Sequence, residues 1–154
     1  MHVQAEVQGP PGRRLASWRR RAAAVVLDGV VLAGLVLFTL VAAGVPVEEI
    51  DRRIRAGEPL LVLLLFVAPR AIYDTALIGS RNQTLGKMAL KIQVVDAQTA
   101  APIGYLRAFR RWLSTATLWA LFTVPGIVDH LWPLRDARKQ TLHDKFAGSV
   151  VVHV

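Results

Sequence analysis

Arg21 and Asp28 stand seven residues apart at the opening of a long apolar run, in the order Arg-Ala-Ala-Ala-Val-Val-Leu-Asp. In a helix this spacing sets Asp28 ~10 Å along the axis from Arg21 and on nearly the same face. A carboxylate inside a membrane helix is costly, so it marks a functional site by default. Its chemistry would be exchange of a proton for a cation, with the arginine favouring the charged form. The plainer reading makes Asp28 an anchor that fixes the fold through a helix partner or a backbone group. Further along, Arg70, Tyr73 and Asp74 sit at the end of a second apolar run. Arg70 and Asp74 are four apart and share a helix face, which neutralises both. They form either a structural ion pair near the inner interface or, with Asp28, a polar pocket between two helices.

Other sets are weaker. Thr84-Leu85-Gly86-Lys87 has the look of a phosphate loop, but Gly79 is too far upstream and Met88 stands where Ser or Thr is required. Nucleotide binding is therefore excluded. Lys87 and Lys91, four apart, offer one basic face to anionic headgroups. Glu48, Glu49 and Asp51 have the charge to hold a cation but read first as a solvated acidic helix turn. Histidines 2, 130, 143 and 153 have no ligand spacing and cysteine is absent, so no metal site, thiol chemistry or disulfide framework is expected. No nucleophile–base pair survives inspection. The chain reads as no enzyme, with no catalytic residue and no cofactor.

Positioning these groups requires membrane helices. Apolar residues make up 53% of the 154 but gather into three blocks, which points to a membrane protein rather than a soluble core. The net charge of +8 clusters beside those blocks, as the positive-inside rule requires, so nucleic acid is not the expected partner.

Residues 1–17 read as a flexible cytoplasmic tail containing Gly-Pro-Pro-Gly, and residues 18–154 as one membrane domain. Trp18 suits a headgroup-level anchor. Residues 22–44 are long enough to span ~30 Å of hydrocarbon. A cleaved signal peptide is disfavoured, because the apolar region is too long and carries an aspartate. Gly29 and Gly34 are small positions at which another helix can approach. Residues 45–59 form the mildly acidic outer loop, and residues 60–78 the second span, which Pro69 can kink. Residues 79–111 form a basic inner loop. Residues 112–134 are interrupted by Pro125-Gly126 and form a third hydrophobic segment, preferred as broken or re-entrant, with a third full span as the alternative. Residues 135–154 form an inner tail, in which a short helix ended by Gly148 precedes the strand-like run Val150–Val152. That run is expected to pair with Lys91–Val95. The fold class is thus an all-α membrane protein: two transmembrane helices, a broken or re-entrant third segment, and a small strand-like element on the cytoplasmic side.

The ordered set Arg21…Asp28, Tyr73-Asp74, Thr84-Leu-Gly-Lys87 running into Ile92-Gln-Val-Val95, Arg107 or Arg110, and His143-Asp144-Lys-Phe-Ala-Gly148-Ser-Val-Val151 resembles the RDD family of small prokaryotic membrane proteins. The resemblance covers roughly residues 17–152. It implies that Arg21, Asp28 and Asp144 are the family's defining charged residues, with Thr84, Gly86 and Lys87 as its inner-loop motif. Two positions depart from the pattern: Asn82 and Lys91 replace glycines, which loosens the claim to a tight backbone path. The resemblance implies a role no more specific than proposed transport, in some members cation/proton antiport.

The expected function is transport of a small ion or solute through a polar intramembrane site around Asp28, with Arg70, Tyr73 and Asp74 contributing. The alternative is a structural or accessory subunit of a larger membrane complex, whose charges serve packing. Arg21 pairs with Asp28 or with Asp144, and Asp144 is the better partner if the tail lies at the inner face; that pairing would leave Asp28 partly unneutralised. Expected partners are the lipid bilayer, anionic headgroups at the inner face, and further copies or a larger complex. The expected location is the inner (plasma) membrane, multi-pass, with the amino terminus cytoplasmic.

Overall fold

The computed structural model describes residues 12–58, 63–121 and 123–154, with Pro10 and Leu60. The expected flexible tail therefore falls largely outside the described residues. Its inner end is pinned: Leu15 bridges to Val152, and Ala16 is fully buried.

Helix α1, Trp18–Ala42, starts where the Ser17 side chain accepts from the N–H of Arg20. A run of Ala, Val and Leu without proline carries it for 25 residues, ~38 Å at 1.5 Å per residue. Its coverage is lopsided. Arg21, Ala24 and Asp28 are buried near its start, whereas Val26, Val30, Leu35, Leu37, Phe38 and Val41 are exposed beyond or around them. A helix that is apolar all round is matched to lipid or to other helices rather than water. Among the described residues it is one of two segments long and apolar enough to cross a membrane, the other being Leu63–Arg81.

The connection between them is not a plain loop. It carries α2, Val47–Arg55, whose acids are spent on its own arginines. Glu49 accepts from Arg53 Nε at 2.6 Å and also pairs with Arg52, while Asp51 accepts from Arg55. This i,i+3 and i,i+4 lacing leaves a cation little to bind at Glu49 or Asp51.

The second span opens with a π-helical turn, Leu63–Val67, and continues as α3, Ala68–Arg81. Pro69 lies at the junction. It cannot donate to the carbonyl a turn earlier, and wider π winding at that point accommodates the lost bond. Helix α3 ends at Asn82 in the left-handed conformation, φ 59°. The expected inner loop then proves structured. It holds a one-turn helix α4, Leu85–Ala89, capped by Thr84, and strand β1, Ile92–Asp96.

The third hydrophobic block forms α5, Gly104–Leu121, and α6, Thr123–Leu131, followed by a 3-10 turn, Trp132–Leu134. The two helices fold back on each other. The Trp119 ring packs where a side chain on Gly126 would stand, and lies 5.9 Å from the His130 ring. Unbroken helix would hold residues 119 and 130 ~16 Å apart.

The chain closes with α7, Leu142–Phe146, and β2, Ser149–His153. Strands β1 and β2 pair antiparallel, with Val94 opposite Val151. Val95, Val150 and Val152 form one core cluster with Ala97, while Ile92, Val94 and Val151 join Ala24, Ile78 and Ala108 in another. That core gathers α1, α3, α5 and the sheet at one end of the long helices. Gly29 and Gly34 have open space beside them, so no close helix approach occurs there among the described residues.

Candidate functional site

Three aspartates have no solvent exposure, Asp28, Asp129 and Asp144, and the buried polar residues gather around Asp28 and Asp144.

Asp28 sits on α1 where α4 crosses it. Gly86 permits the crossing: a Cβ there would stand 2.3 Å from the Ala24 carbonyl oxygen and 2.9 Å from the Asp28 carboxylate. Because α4 comes so close, the Gly86 N–H donates to Asp28 Oδ1 at 2.7 Å. Thr84, the cap of α4, donates its hydroxyl to Oδ2 at 2.6 Å. Tyr73 reaches across from α3 to donate to Oδ1 at 2.7 Å, and its own oxygen accepts from the Leu85 N–H. Lys87 Nζ lies 3.9 Å from Oδ2 and donates to the Thr84 hydroxyl oxygen at 3.2 Å. Thus the Thr-Leu-Gly-Lys motif does cradle an anion: a carboxylate of its own chain rather than a phosphate. Asp28 is not left unneutralised, and Arg21 does not pair with it.

Lys87 is buried, so it does not share a headgroup-facing surface with exposed Lys91. A threonine cap and a small-residue crossing draw it inward. Burial and the nearby Arg111 lower its ammonium pKa to about 8, against the opposing pull of Asp74 and Asp28.

Asp144 is held differently. Arg21 donates from Nη2 to Asp144 Oδ2, and its Nη1 to the Lys139 carbonyl oxygen. Arg111 donates from Nε to Oδ1 at 2.8 Å. The same carboxylate completes a capping box with Thr141 at the start of α7. Burial pushes Asp144 towards neutrality, but two guanidiniums outweigh it and hold the carboxyl well below its ordinary range.

The network runs on. Arg111 Nη2 lies 3.0 Å from His143 Nε2, and His143 Nδ1 lies 2.6 Å from Asp129 Oδ2. An arginine can only donate, so Nε2 accepts and Nδ1 carries the proton: His143 is neutral. Burial and Arg111 lower its pKa, against Asp129 and Asp144. Helix α6 is drawn in by Asp129, and Trp18 fastens the same helix by donating Nε1–H to the His130 carbonyl oxygen at 2.9 Å.

The remaining expected residues form a side branch. Arg70 Nε donates to Asp74 Oδ2 at 2.7 Å, while Asp74 Oδ1 is buried without a donor among the described residues. Neither Arg107 nor Arg110 serves the buried centre. Arg107 binds Asp96 and the carbonyls of Ala147 and Gly148, Arg110 is exposed, and Arg111 takes the role. One helix position per 100° decides this, and three arginines spread over five residues blur it in sequence. Asp129 was also missed, although its depth in an apolar block followed by His130 was a signal of the same kind as Asp28.

The two departures from glycine have a conformational outcome. Asn82 and Lys91 both adopt left-handed backbone, at φ 59° and 53°. The tight path is therefore kept without glycine, at a steric cost that asparagine tolerates better than lysine.

The chain is similar to the Proline-rich antigen homolog of two Mycobacterium tuberculosis strains, 34% identical over 76 residues. The aligned stretch covers 49% of this chain and 30% of each relative, so the chain spans less than a third of the length of the proteins it matches. No solved structure matches it. The RDD family model matches residues 15–148, from the strand bridge before α1 to the turn before β2, and so takes in Asp28, Asp129 and Asp144. This chain belongs to the RDD family, a family of membrane proteins.

Proposed function

We propose that this chain is a structural or accessory subunit of a larger membrane assembly, and that its buried charges lock a two-helix membrane unit onto a compact cap. The carrying observation is the enclosure of Asp28. It is 0% exposed, and both carboxylate oxygens are engaged by Tyr73, Thr84 and the Gly86 N–H. A carrier must open such a carboxylate to solvent in turn on each side; a lock must not. The uncovered length of α1 supports the same reading, because it presents apolar side chains and the open glycines Gly29 and Gly34 to whatever lies beside it. In this reading the cap faces the cytoplasm of an inner-membrane, multi-pass protein, with α5 and α6 re-entering from that side. The arginines at the start of α1 and the basic character of the capped end support that orientation.

Transport remains the second reading, carried by one feature. Arg70 lines a groove of about 530 Å³ between α1 and the second span, and its partner Asp74 keeps one buried oxygen without a donor. Liposome flux decides between the two. Proton-coupled cation flux that disappears in Asp28→Asn would overturn the accessory reading. Absence of flux, with stoichiometric self-association or partner capture in mild detergent, upholds it. A reporter fused at residue 154 checks orientation: an external carboxyl end sinks the proposed topology.

A further inference from the structure

Between the two aspartate centres lies a cavity of about 90 Å³. One water needs only ~10–15 Å³ by the same kind of measure, so the space admits an ion with several oxygens. Its wall carries Arg21, Lys87 and Arg111, together with His130, His143 and Trp18, and no carboxylate. The aspartates lie behind the cations rather than between them.

Each cation is more than nine-tenths buried yet has donors to spare. Lys87 Nζ has three protons and one hydrogen bond, to Thr84, with Asp28 at ion-pair distance only. Arg111 uses Nε and Nη2, and Arg21 uses Nη1 and Nη2. Arg111 Nη1 and Arg21 Nε meet no acceptor among the described residues. Neither of these two atoms is fully enclosed, so the spare donors reach accessible space at the cavity, where water or an anion can complete them. Two planar guanidiniums and an ammonium converging from α1, α4 and α5 match a tetrahedral oxyanion with several free oxygens, not a single-point halide.

We propose that this cavity binds a phosphate-type oxyanion, either a phosphomonoester headgroup of a lipid or free phosphate. Arg21, Lys87 and Arg111 are its donors. Exposed Val25, half-buried His130 and Trp18 are among its lining, so the cavity reaches the surface and is open to both sources. The lowered pKa of Lys87 is consistent with a cation that awaits a second anion. The proposal holds whether or not the chain is an accessory subunit, because it concerns a pocket that the Asp28 enclosure does not use.

The test uses the full chain in phosphatidylcholine nanodiscs. Inorganic phosphate is added to one arm, and phosphatidic acid is mixed into the bilayer of the other. A rise in the thermal midpoint in either arm is expected: in the first it assigns free phosphate, in the second alone a lipid headgroup. Lys87→Gln removes one charged donor and should raise the concentration needed roughly tenfold. Lys91→Gln, at an exposed position, should change nothing. If neither arm moves the wild type, or if both lysine variants lose the response equally, the proposal fails. Should Lys87→Gln not fold, equilibrium dialysis of wild type with labelled phosphate replaces it. Binding that saturates at one phosphate per chain and survives screening salt supports a buried site. Non-saturating binding abolished by salt overturns it, unless the phosphatidic acid arm alone had responded, in which case that lipid's saturation is read instead by the same criterion.

Discussion

Asp28 and Asp144 are equally buried, yet their charges are met in opposite ways. Around Asp28 the close donors are neutral: two hydroxyls and a backbone N–H within 2.7 Å, with the lysine standing off at 3.9 Å. Around Asp144 the close donors are two guanidiniums and the turn of its own helix. The first centre depends on backbone shape, because the N–H of Gly86 arrives only if α4 lies against α1. The second depends on charge balance, because its removal leaves Arg21 and Arg111 buried side by side. One centre reads contact, and the other reads charge.

The contrast can be broken by substitution. Asp144→Asn keeps the shape but strands two buried cations, and should cost about 3–5 kcal/mol of unfolding free energy in mixed micelles. Adding Arg21→Met should recover part of that loss, and the double-mutant cycle measures how strongly the pair is coupled. Full additivity would dissolve the charge-balanced picture. Gly86→Ala tests the other centre. Its added methyl meets the Ala24 carbonyl and should cost about 1–3 kcal/mol by pushing α4 off Asp28. A Gly86→Ala chain as stable as wild type would mean that contact does not govern this end. Tyr73→Phe removes one donor to Asp28 and the acceptor for Leu85, for about 1–2 kcal/mol measured the same way.

Acidity should act on the Asp144 centre in two separate pH ranges. His143 has a folded pKa below its ordinary 6.5, so the unfolded chain binds the proton first as pH falls. Stability from this residue is complete above about 6.5 and declines below it. The charged groups facing it are Arg111, Asp129 and Asp144. The Asp144 carboxylate, its pKa depressed, contributes stability that is lost only under its ordinary 3.8. A stability profile between pH 7 and 5 that is unchanged in His143→Gln would contradict this assignment. The smallest expected effect is at the loop joining α4 to β1. Lys91→Gly should relieve left-handed strain and raise stability by about 0.5–1 kcal/mol, read from the same unfolding curves.

The long helices, the broken third block and the pairing runs were legible because hydropathy and period act over many residues at once. Arg21 and Asp28 were legible as charges in the wrong solvent. Their partners were legible in part: Asp144 is the expected better partner of Arg21 and is the one found, whereas the α4 donors to Asp28 were not expected. Whether Arg21 meets Asp28 or Asp144 depends on how α7 docks, 123 residues away in sequence. Lys87 looked like a surface charge because its spacing to Lys91 suits one helix face, but α4 ends at Ala89 and never carries Lys91. Arg111 lost its place to Arg107 and Arg110 because a third of a turn separates a core position from an exposed one.

The bond between Arg21 and Asp144 also sets an order of events in synthesis. Helix α1 leaves the ribosome well before its latch, which is encoded 123 residues later, followed by Val151 and Val152 of the strand that holds Ala16 and Leu15. Until those residues emerge, α1 can enter the bilayer but cannot be seated. A chain stopped short of α7 would carry Arg21 and Arg111 without their carboxylate. Translation through α7 therefore separates a seated α1 from an unseated one, and a truncation before Thr141 should be cleared from the membrane faster than any single substitution above.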